Sequence, residues 1–512
     1  MRIRNSIYNI IAGIGGSVAT SLLSFVSRTV FIYTIGVTYL GLNGLILNVL
    51  AMLNLTELGI GAAINYSLYK PLLEKDTVKI KAIMKFYQKA YIIIGLVVFG
   101  LGLVLMLFLK YIIKDPQGIE NLNLIYLIFL FNTAYTYFFT YKRTLISADQ
   151  KAYLLVPFTT GFQILMVVFQ IIVLVLFKNF ILFLLTQTLF NVVQNIVINK
   201  YIDSKYPYLR DKEVLPVPRE ELNTIKKNIK ATFLHNIGDY AINSTDNIII
   251  SAFISIVVVG VYSNYLLIIT TVNTFIMIIF NSTAASFGNL IAEDNREKSL
   301  QMSRIFDFIG FWIFGWATVC FYNLLNPFIA VWLGPDFLIG QVIITVVLAN
   351  YYLTGMRAPI SIVKVSAGVY TQDQFVPLIQ AVVNLVLSVI LVQKWGLVGV
   401  FAGTLISSVV LPCWYRPIVV YTNVFQTSAR RYFIKYLIYG LFVLFSVILT
   451  KYLCGLFFPS YTIGGLLGRF ILCLLVPNLL LVLAFYRTDE FQQLAVILKR
   501  ILGGIKWKKR LA

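Results

Sequence analysis

The run SRTVFIYTIGVTYLGLNGLILNVLAMLNLTELGIGAAINYSLYKPL, residues 27–72, carries only one arginine and one glutamate before its lysine at position 70. About 20 apolar residues are enough for a helix to cross the hydrocarbon core of a bilayer. This stretch therefore holds the end of one membrane-spanning helix and most of a second, joined by a short turn. Comparable runs continue almost to the end of the chain, which predicts a polytopic α-helical membrane protein.

The composition supports the same fold class. Of the 512 residues, 59% are apolar and 12% are charged, whereas soluble chains carry about 25% charged residues. A soluble globular protein is thereby excluded. The apolar runs are long and continuous rather than alternating segments of about ten residues, which excludes an outer-membrane barrel.

Apolar runs separated by charged clusters predict fourteen helices. They cover residues 6–35, 39–67, 90–109, 122–146, 153–177, 180–201, 229–256, 258–287, 305–330, 340–364, 375–393, 396–420, 432–457 and 462–486. We expect an N-lobe over 1–201, a cytoplasmic linker over 202–228, a C-lobe over 229–421, two further helices over 422–486 and a basic tail over 487–512.

The distribution of basic residues predicts the orientation in the membrane. With an even helix count both termini lie on one side, and 35 of the 42 lysines and arginines fall on that side, against 6 on the other. The positive-inside rule therefore places both termini on the cytoplasmic side of the membrane. It also accounts for the basic excess without a nucleic-acid partner. The tail has apolar residues at helical spacing before IKWKKRL, which predicts a surface helix on anionic lipid.

The two halves of the chain show a weak internal repeat. An offset of 219 residues pairs Gly41 with Gly260 and Lys79 with Lys298, within a shared layout of helix, outer turn, helix and basic amphipathic stretch. Each repeat has six helices, so both enter from the same side. Parallel repeats of this kind enclose a midplane cavity that can open to either side in turn, which predicts two six-helix lobes plus two C-terminal helices.

Charged and polar residues inside the predicted helices are the candidates for function, because a charge at a helix centre costs about 2.5–3.5 kcal/mol. Arg28 lies well inside helix 1 and Glu57 inside helix 2. In helix 7, Asp239, Asn243 and Asp246 recur at i, i+4 and i+7, on one face. These three are candidates for coupling to a proton or sodium ion, or for lining a wet cavity.

Four more basic residues lie near the predicted cytoplasmic ends of helices 4, 10 and 12. They are Arg143, Arg357, Lys364 and Arg416. Orientation in the membrane alone explains a basic residue at such a position, particularly for Lys364 and Arg416, so the structural and the functional interpretations both stay open.

Several chemistries have no sequence signature here. There is no G-x-x-x-x-G-K-[ST] loop for ATP, and one histidine with four scattered cysteines supplies neither a metal site nor a nucleophile–histidine pair. We therefore expect no cofactor, no metal and no enzymatic activity. The remaining function is transport, driven either by an ion gradient or by the supply of substrate.

The run over 27–72, the motif SADQKAY at 147–153 and the 6 + 6 + 2 layout resemble polysaccharide-repeat flippases of the Wzx type. That group shares a superfamily with multidrug and toxic-compound extruders and with the lipid II flippase. The resemblance implies export of an undecaprenyl-diphosphate-linked oligosaccharide, alongside a polysaccharide polymerase and glycosyltransferases. It also implies cavity arginines that hold the diphosphate, with Arg28 first and Arg143 and Arg357 next.

This sequence departs from the lipid II flippase pattern, because helix 2 carries Glu57 where that pattern has arginine. Lipid II is therefore a doubtful substrate. Two other functions stay open: a cation-coupled multidrug extruder of the same superfamily, which needs acidic groups such as those of helix 7, and a membrane polymerase or acyltransferase.

Overall fold

The computed structural model describes residues 2–53, 60–114, 119–211, 215–217, 222, 245–283, 287–288, 290–291, 295–369, 372–497 and 499. This part of the chain is helical and contains no strand. Eleven of its helices are long and apolar enough to cross a membrane. The predicted all-α polytopic class is confirmed. The predicted number of fourteen is approximate, since several spans fall partly outside the described ranges.

The chain forms two compact units, Met1–Ser263 and Asn264–Ala512. Helices of the first unit are α1 Arg2–Thr34, α2 Val37–Leu53, α3 Ile60–Glu74, α4 Thr77–Met106, α5 Leu109–Ile112, α6 Leu122–Ala148, α7 Val156–Phe177, α8 Phe180–Lys205 and α9 over 245–253. Helix α10, Ile256–Ser282, begins in this unit and continues into the second.

The second unit continues with shorter and more often broken helices. They are α11 Arg296–Trp332, α12 Gln341–Met356, α13 Ala358–Ser366, α14 Val376–Trp395, α15 Leu397–Val410, α16 Pro412–Val420, α17 Arg430–Phe457, α18 Ile463–Phe485 and α19 over 489–497. The predicted lobe boundaries at 201, 228 and 421 stay predictions.

Two helices begin well before the apolar run that predicted them. Helix α4 begins at Thr77 rather than 90, and α11 at Arg296 rather than 305. The Asp76 side chain accepts a hydrogen bond from the Lys79 amide at 2.9 Å, and Asn295 accepts one from the Lys298 amide at 3.0 Å. Such N-caps start a helix in water, so the basic amphipathic stretches extend the spans. The two caps are themselves 219 residues apart.

Two predicted helices are broken by proline. The run over 340–364 divides at Arg357, with Pro359 in the first turn of α13, and the run over 396–420 divides at Leu411, before Pro412. Proline lacks an amide hydrogen, so it fits the first turn of a helix, where that hydrogen would have no partner within the helix. Because of the first break, Arg357 lies at the junction of α12 and α13 rather than within one continuous helix.

The core of the second unit is an aromatic cluster between α11, α17 and α18. The rings of Phe311 and Tyr439 stack with centroids 4.0 Å apart, and Phe485 meets both edge-on. Helix α19 packs onto this cluster through Phe491, whose ring stacks on Trp312 at 6.1 Å. The apolar face of the predicted surface helix thus contacts protein between 489 and 497. Its basic end, 500–512, lies outside the described residues.

Candidate functional site

Arg28 lies in α1, six residues before the end of that helix at Thr34. It is half-buried, and its Nη1 donates a hydrogen bond to the Ser263 hydroxyl of α10 at 2.7 Å. Ser263 in turn donates to the Gly260 carbonyl at 2.7 Å. The guanidinium is therefore positioned by a neutral group, and among the described residues one of its five N–H bonds has a partner.

Arg143 lies in α6, five residues before the helix ends at Ala148. Its Nη2 donates to the Asn195 side-chain carbonyl of α8 at 2.8 Å. The Nε atom is buried and has no hydrogen-bond partner within the described part of the chain. Here too the neighbour that orients the guanidinium is uncharged.

Arg357 is 7% exposed and lies at the junction of α12 and α13. Its Nη1 contacts the Cys413 sulfur at 3.4 Å and its Nη2 donates to the Thr354 hydroxyl at 3.1 Å. The three arginines thus share one property: across the described ranges, none of them is hydrogen-bonded to a carboxylate. A buried cation without a counter-charge attracts an anionic ligand.

Lys364 and Arg416 have different surroundings. Lys364 forms a salt bridge with Asp373, and the side chains of the pair are 3% and 1% exposed. The charge of Lys364 is therefore balanced within the unit. Arg416 donates from Nη1 to the Ser361 hydroxyl at 3.0 Å, next to Arg357, whose carbonyl accepts from the same Ser361. This hydrogen-bond chain connects α16 to the junction that holds Arg357.

The acidic candidates are only partly described. Glu57, Asp239 and Asn243 lie outside the described residues. Asp246 is half-buried on α9 and interacts electrostatically with Tyr262 of α10. The predicted ion-coupling role of these residues stays a prediction.

The SADQKAY motif connects the ends of α6 and α8 through the hydrogen bonds of Asp149, a contact called the clasp below. The Asp149 carboxylate accepts hydrogen bonds from the Tyr206 hydroxyl and the Lys151 ammonium, both at 2.6 Å. Burial, together with this carboxylate, raises the pKa of Tyr206 above its ordinary value. Burial likewise raises the pKa of Tyr208 to about 12. The motif therefore has a structural role at this end of the first unit.

A polar cavity of about 180 Å³ in the second unit was not predicted. It lies where the beginnings of α11 and α17 meet α19, and its walls include Arg304, Asp307, Arg431 and Glu490. The carboxylate inside the apolar run SRIFDFIGFW, residues 303–312, is a signal that could have pointed to it, but it was not singled out. The partners of Asp307 come from far along the chain, so the sequence alone does not reveal the cavity.

No protein-family model matches the sequence, and no curated protein matches it. Similar solved structures do exist. The lipid II flippase MurJ in an inward closed conformation has a TM-score of 0.62 and 12% identity, covering 94% of this chain and 99% of that one. An inward-facing multidrug resistance MATE family transporter of the MOP superfamily has a TM-score of 0.60 and 14% identity, covering 82% and 100%.

A Vibrio cholerae MATE transporter has a TM-score of 0.57 and 13% identity, covering 83% of this chain and 99% of that one. Coverage is nearly complete on the side of each neighbour, so the likeness extends over their whole folds. At such low identity the comparison establishes the fold and no more. The chain is a multi-pass helical membrane protein with the fold shared by MATE transporters and the MurJ flippase.

Proposed function

We propose that the protein is a Wzx-type flippase that moves undecaprenyl-diphosphate-linked oligosaccharide repeat units across the bacterial cytoplasmic membrane by alternating access. The observation that carries this proposal is the set of three arginines in or beside apolar helices, Arg28, Arg143 and Arg357, whose hydrogen-bond partners within the described residues are all uncharged.

The chemistry of such a substrate requires cations inside the membrane. A diphosphate is anionic and a sugar chain carries many hydroxyls, and transferring either into hydrocarbon without partners is strongly unfavourable. A guanidinium binds phosphate oxygens through a planar fork of two N–H bonds. Arg28 keeps such donors for the substrate, because within the described part of the chain its hydrogen bond to Ser263 uses only Nη1.

In this proposal Arg28 holds the diphosphate first, and Arg143 and Arg357 follow it near the cytoplasmic ends of their helices. Lys364 and Arg416 support the surroundings of Arg357, and Glu57 contacts the sugar. Asp246, with Asp239 and Asn243, takes part in coupling to an ion that drives the cycle. Glycosyltransferases supply the substrate, and a polysaccharide polymerase consumes it.

The test is complementation of a deletion strain, with surface polysaccharide and lipid-linked repeat units measured together. Arg28→Gln should lower surface polymer at least tenfold and cause lipid-linked repeats to accumulate, at unchanged protein abundance. Arg430→Gln, which removes an exposed cation at the start of α17, is the matched control and should complement fully. Normal polymer in Arg28→Gln would remove this residue from the mechanism.

A multidrug extruder is the second candidate, favoured by the likeness to MATE transporters over their whole length. It would use Asp239 and Asp246, the carboxylates of the predicted helix over 229–256, to bind organic cations. The same deletion strain separates the two functions, since drug sensitivity with intact polysaccharide would support the extruder. Loss of lipid-linked repeats altogether would instead indicate an enzyme that synthesises them.

A further inference from the structure

The polar cavity of the second unit adjoins the junction that holds Arg357, because Met356 and Tyr436 line it and Tyr436 interacts electrostatically with Arg357. The lining itself does not include Arg28, Arg143 or Arg357. Helix α19 closes it from one side, through a salt bridge between Glu490 and Lys435 of α17. Glu490 is 8% exposed, whereas the Lys435 side chain is 39% exposed, so this contact is partly buried. The cavity lies at the end of the unit that contains the starts of α11 and α17, which the basic-residue distribution places on the cytoplasmic side.

Two polar atoms in the cavity wall have no hydrogen-bond partner within the described residues. They are Asp307 Oδ1 and the Tyr432 hydroxyl. Asp307 is 7% exposed and Tyr432 is 6% exposed. Buried polar groups are nearly always hydrogen-bonded in native proteins. Together they indicate a site that is completed by a ligand with hydrogen-bond donors.

The charges around the cavity are mixed in sign. Lys435 pairs with Glu490 and also interacts with Asp307. Arg304 is hydrogen-bonded to the Tyr421 hydroxyl, and Arg431 is exposed at the rim. Neither arginine forms an ion pair with the described residues. Because cations and carboxylates both line the cavity, a ligand that carries one charge of each sign is the better complement.

The cavity continues into an apolar groove. A neighbouring cleft of about 380 Å³ shares Arg304, Asp489 and Glu490 with it. That cleft shares Gln301 and Gln493 with a groove of about 450 Å³ between α11 and α19. Apolar side chains that line the groove are Met302, Ile305, Val496 and Ile497. The polar cavity, called the chamber below, thus leads into an apolar groove. This combination matches an amphiphile rather than a water-soluble ion.

We propose that this chamber binds the headgroup of a zwitterionic amine phospholipid. Its phosphate contacts Arg304 and Arg431, its ammonium donates to Asp307 and Asp489, and one acyl chain lies in the groove. Charge complementarity selects this occupant, because three cationic side chains, those of Arg304, Arg431 and Lys435, and three acidic ones, those of Asp307, Asp489 and Glu490, line the chamber. The lipid links α19 to α11 and α17, and the inference does not depend on what the protein transports.

The experiment is native mass spectrometry of the full chain in detergent, titrated with phosphatidylethanolamine or phosphatidylglycerol of identical acyl chains. We expect phosphatidylethanolamine to be retained at least fivefold better. Arg431→Gln and Asp307→Asn should each reduce that retention fivefold or more. Arg430→Gln removes the adjacent exposed cation, which does not line the chamber, and should change nothing.

Glycerophosphoethanolamine tests the groove, because it has the headgroup without acyl chains. Its retention should be at least tenfold weaker than that of the lipid, and equal retention would overturn the role of the groove. Equal or better retention of phosphatidylglycerol, or retention that Arg431→Gln leaves unchanged, would overturn the proposal. Arg431 is exposed at its rim, so this variant keeps the test valid if Asp307→Asn fails to fold.

Discussion

Gly41 and Gly260 lie against each other where α2 crosses α10, and the contact is reciprocal. A Cβ on Gly41 would lie 2.0 Å from the Ile256 carbonyl oxygen, and a Cβ on Gly260 would lie 2.2 Å from the Val37 carbonyl oxygen. Both pairs of equivalent residues, 37 with 256 and 41 with 260, are separated by 219 positions. A contact in which equivalent residues exchange partners is the geometry expected at a two-fold axis.

This reciprocity predicts equal effects of Gly41→Ala and Gly260→Ala. Each added methyl group would overlap a backbone carbonyl, which cannot rotate away, so each variant should lose about 1–3 kcal/mol of stability. The measurement is thermal unfolding of the purified protein in detergent. Gly100→Ala is the control, since nothing lies within 4 Å of a Cβ there. A large effect of one glycine and none of the other would contradict the symmetric contact.

Replacement of Tyr206 by phenylalanine tests the clasp at the ends of α6 and α8. It removes a 2.6 Å hydrogen bond to the Asp149 carboxylate, and bonds to charged groups contribute about 1.5–3 kcal/mol. Because burial and Asp149 raise the pKa of Tyr206, folding favours its protonated form. This contribution is complete below the ordinary tyrosine pKa of about 10 and declines as the pH rises above it.

We therefore expect the melting temperature of Tyr206→Phe to lie below that of the wild type at pH 8, with a smaller difference at pH 10.5. The control is Tyr208→Phe, since Tyr208 makes no side-chain hydrogen bond to Asp149 among those described. A difference between wild type and Tyr206→Phe that grows with pH would refute the clasp.

The buried pair of Lys364 and Asp373 predicts strong non-additivity. Lys364→Met alone leaves an uncompensated carboxylate that is 1% exposed, a change that typically costs about 3–5 kcal/mol. The double variant with Asp373→Leu should recover most of that loss, because both charges are removed. Unfolding of the two single variants and the double variant measures the coupling. Additive losses would show that the two charges do not neutralise each other. Lys364 would then again be a candidate for binding the substrate.

The helices were predictable because the bilayer imposes a minimum apolar length that the sequence must meet. The run over 122–146 corresponds to α6, Leu122–Ala148, and the run over 462–486 to α18, Ile463–Phe485. Helix ends in water follow other signals. The caps at Asp76 and Asn295 extend two helices that hydropathy truncated, and Pro359 divides a run that hydropathy joined.

The partners of the candidate residues were not predictable, since they come from distant parts of the chain. Ser263 follows Arg28 by 235 residues, and no spacing rule connects them. Asp307 was not singled out, because one carboxylate in an apolar run says nothing of the tyrosines and cations around it. The sequence does indicate which arginines lie within or beside apolar runs, since local composition shows that directly, but their roles stay predictions.

Arg143 offers the sharpest distinction between a substrate-binding and a structural role. Arg143→Lys keeps the positive charge but loses the planar fork that binds Asn195 and phosphate oxygens, whereas Arg143→Gln loses the charge as well. If the residue binds diphosphate, Lys should retain part of the flipping activity and Gln almost none. Asn195→Ala keeps the guanidinium and removes its 2.8 Å contact, so this variant should stay active.

The readouts for these Arg143 and Asn195 variants are surface polymer and lipid-linked repeats, both normalised to protein abundance. Equal losses in Arg143→Lys, Arg143→Gln and Asn195→Ala would instead show that Arg143 acts by joining α6 to α8, and diphosphate binding would then rest on Arg28 and Arg357.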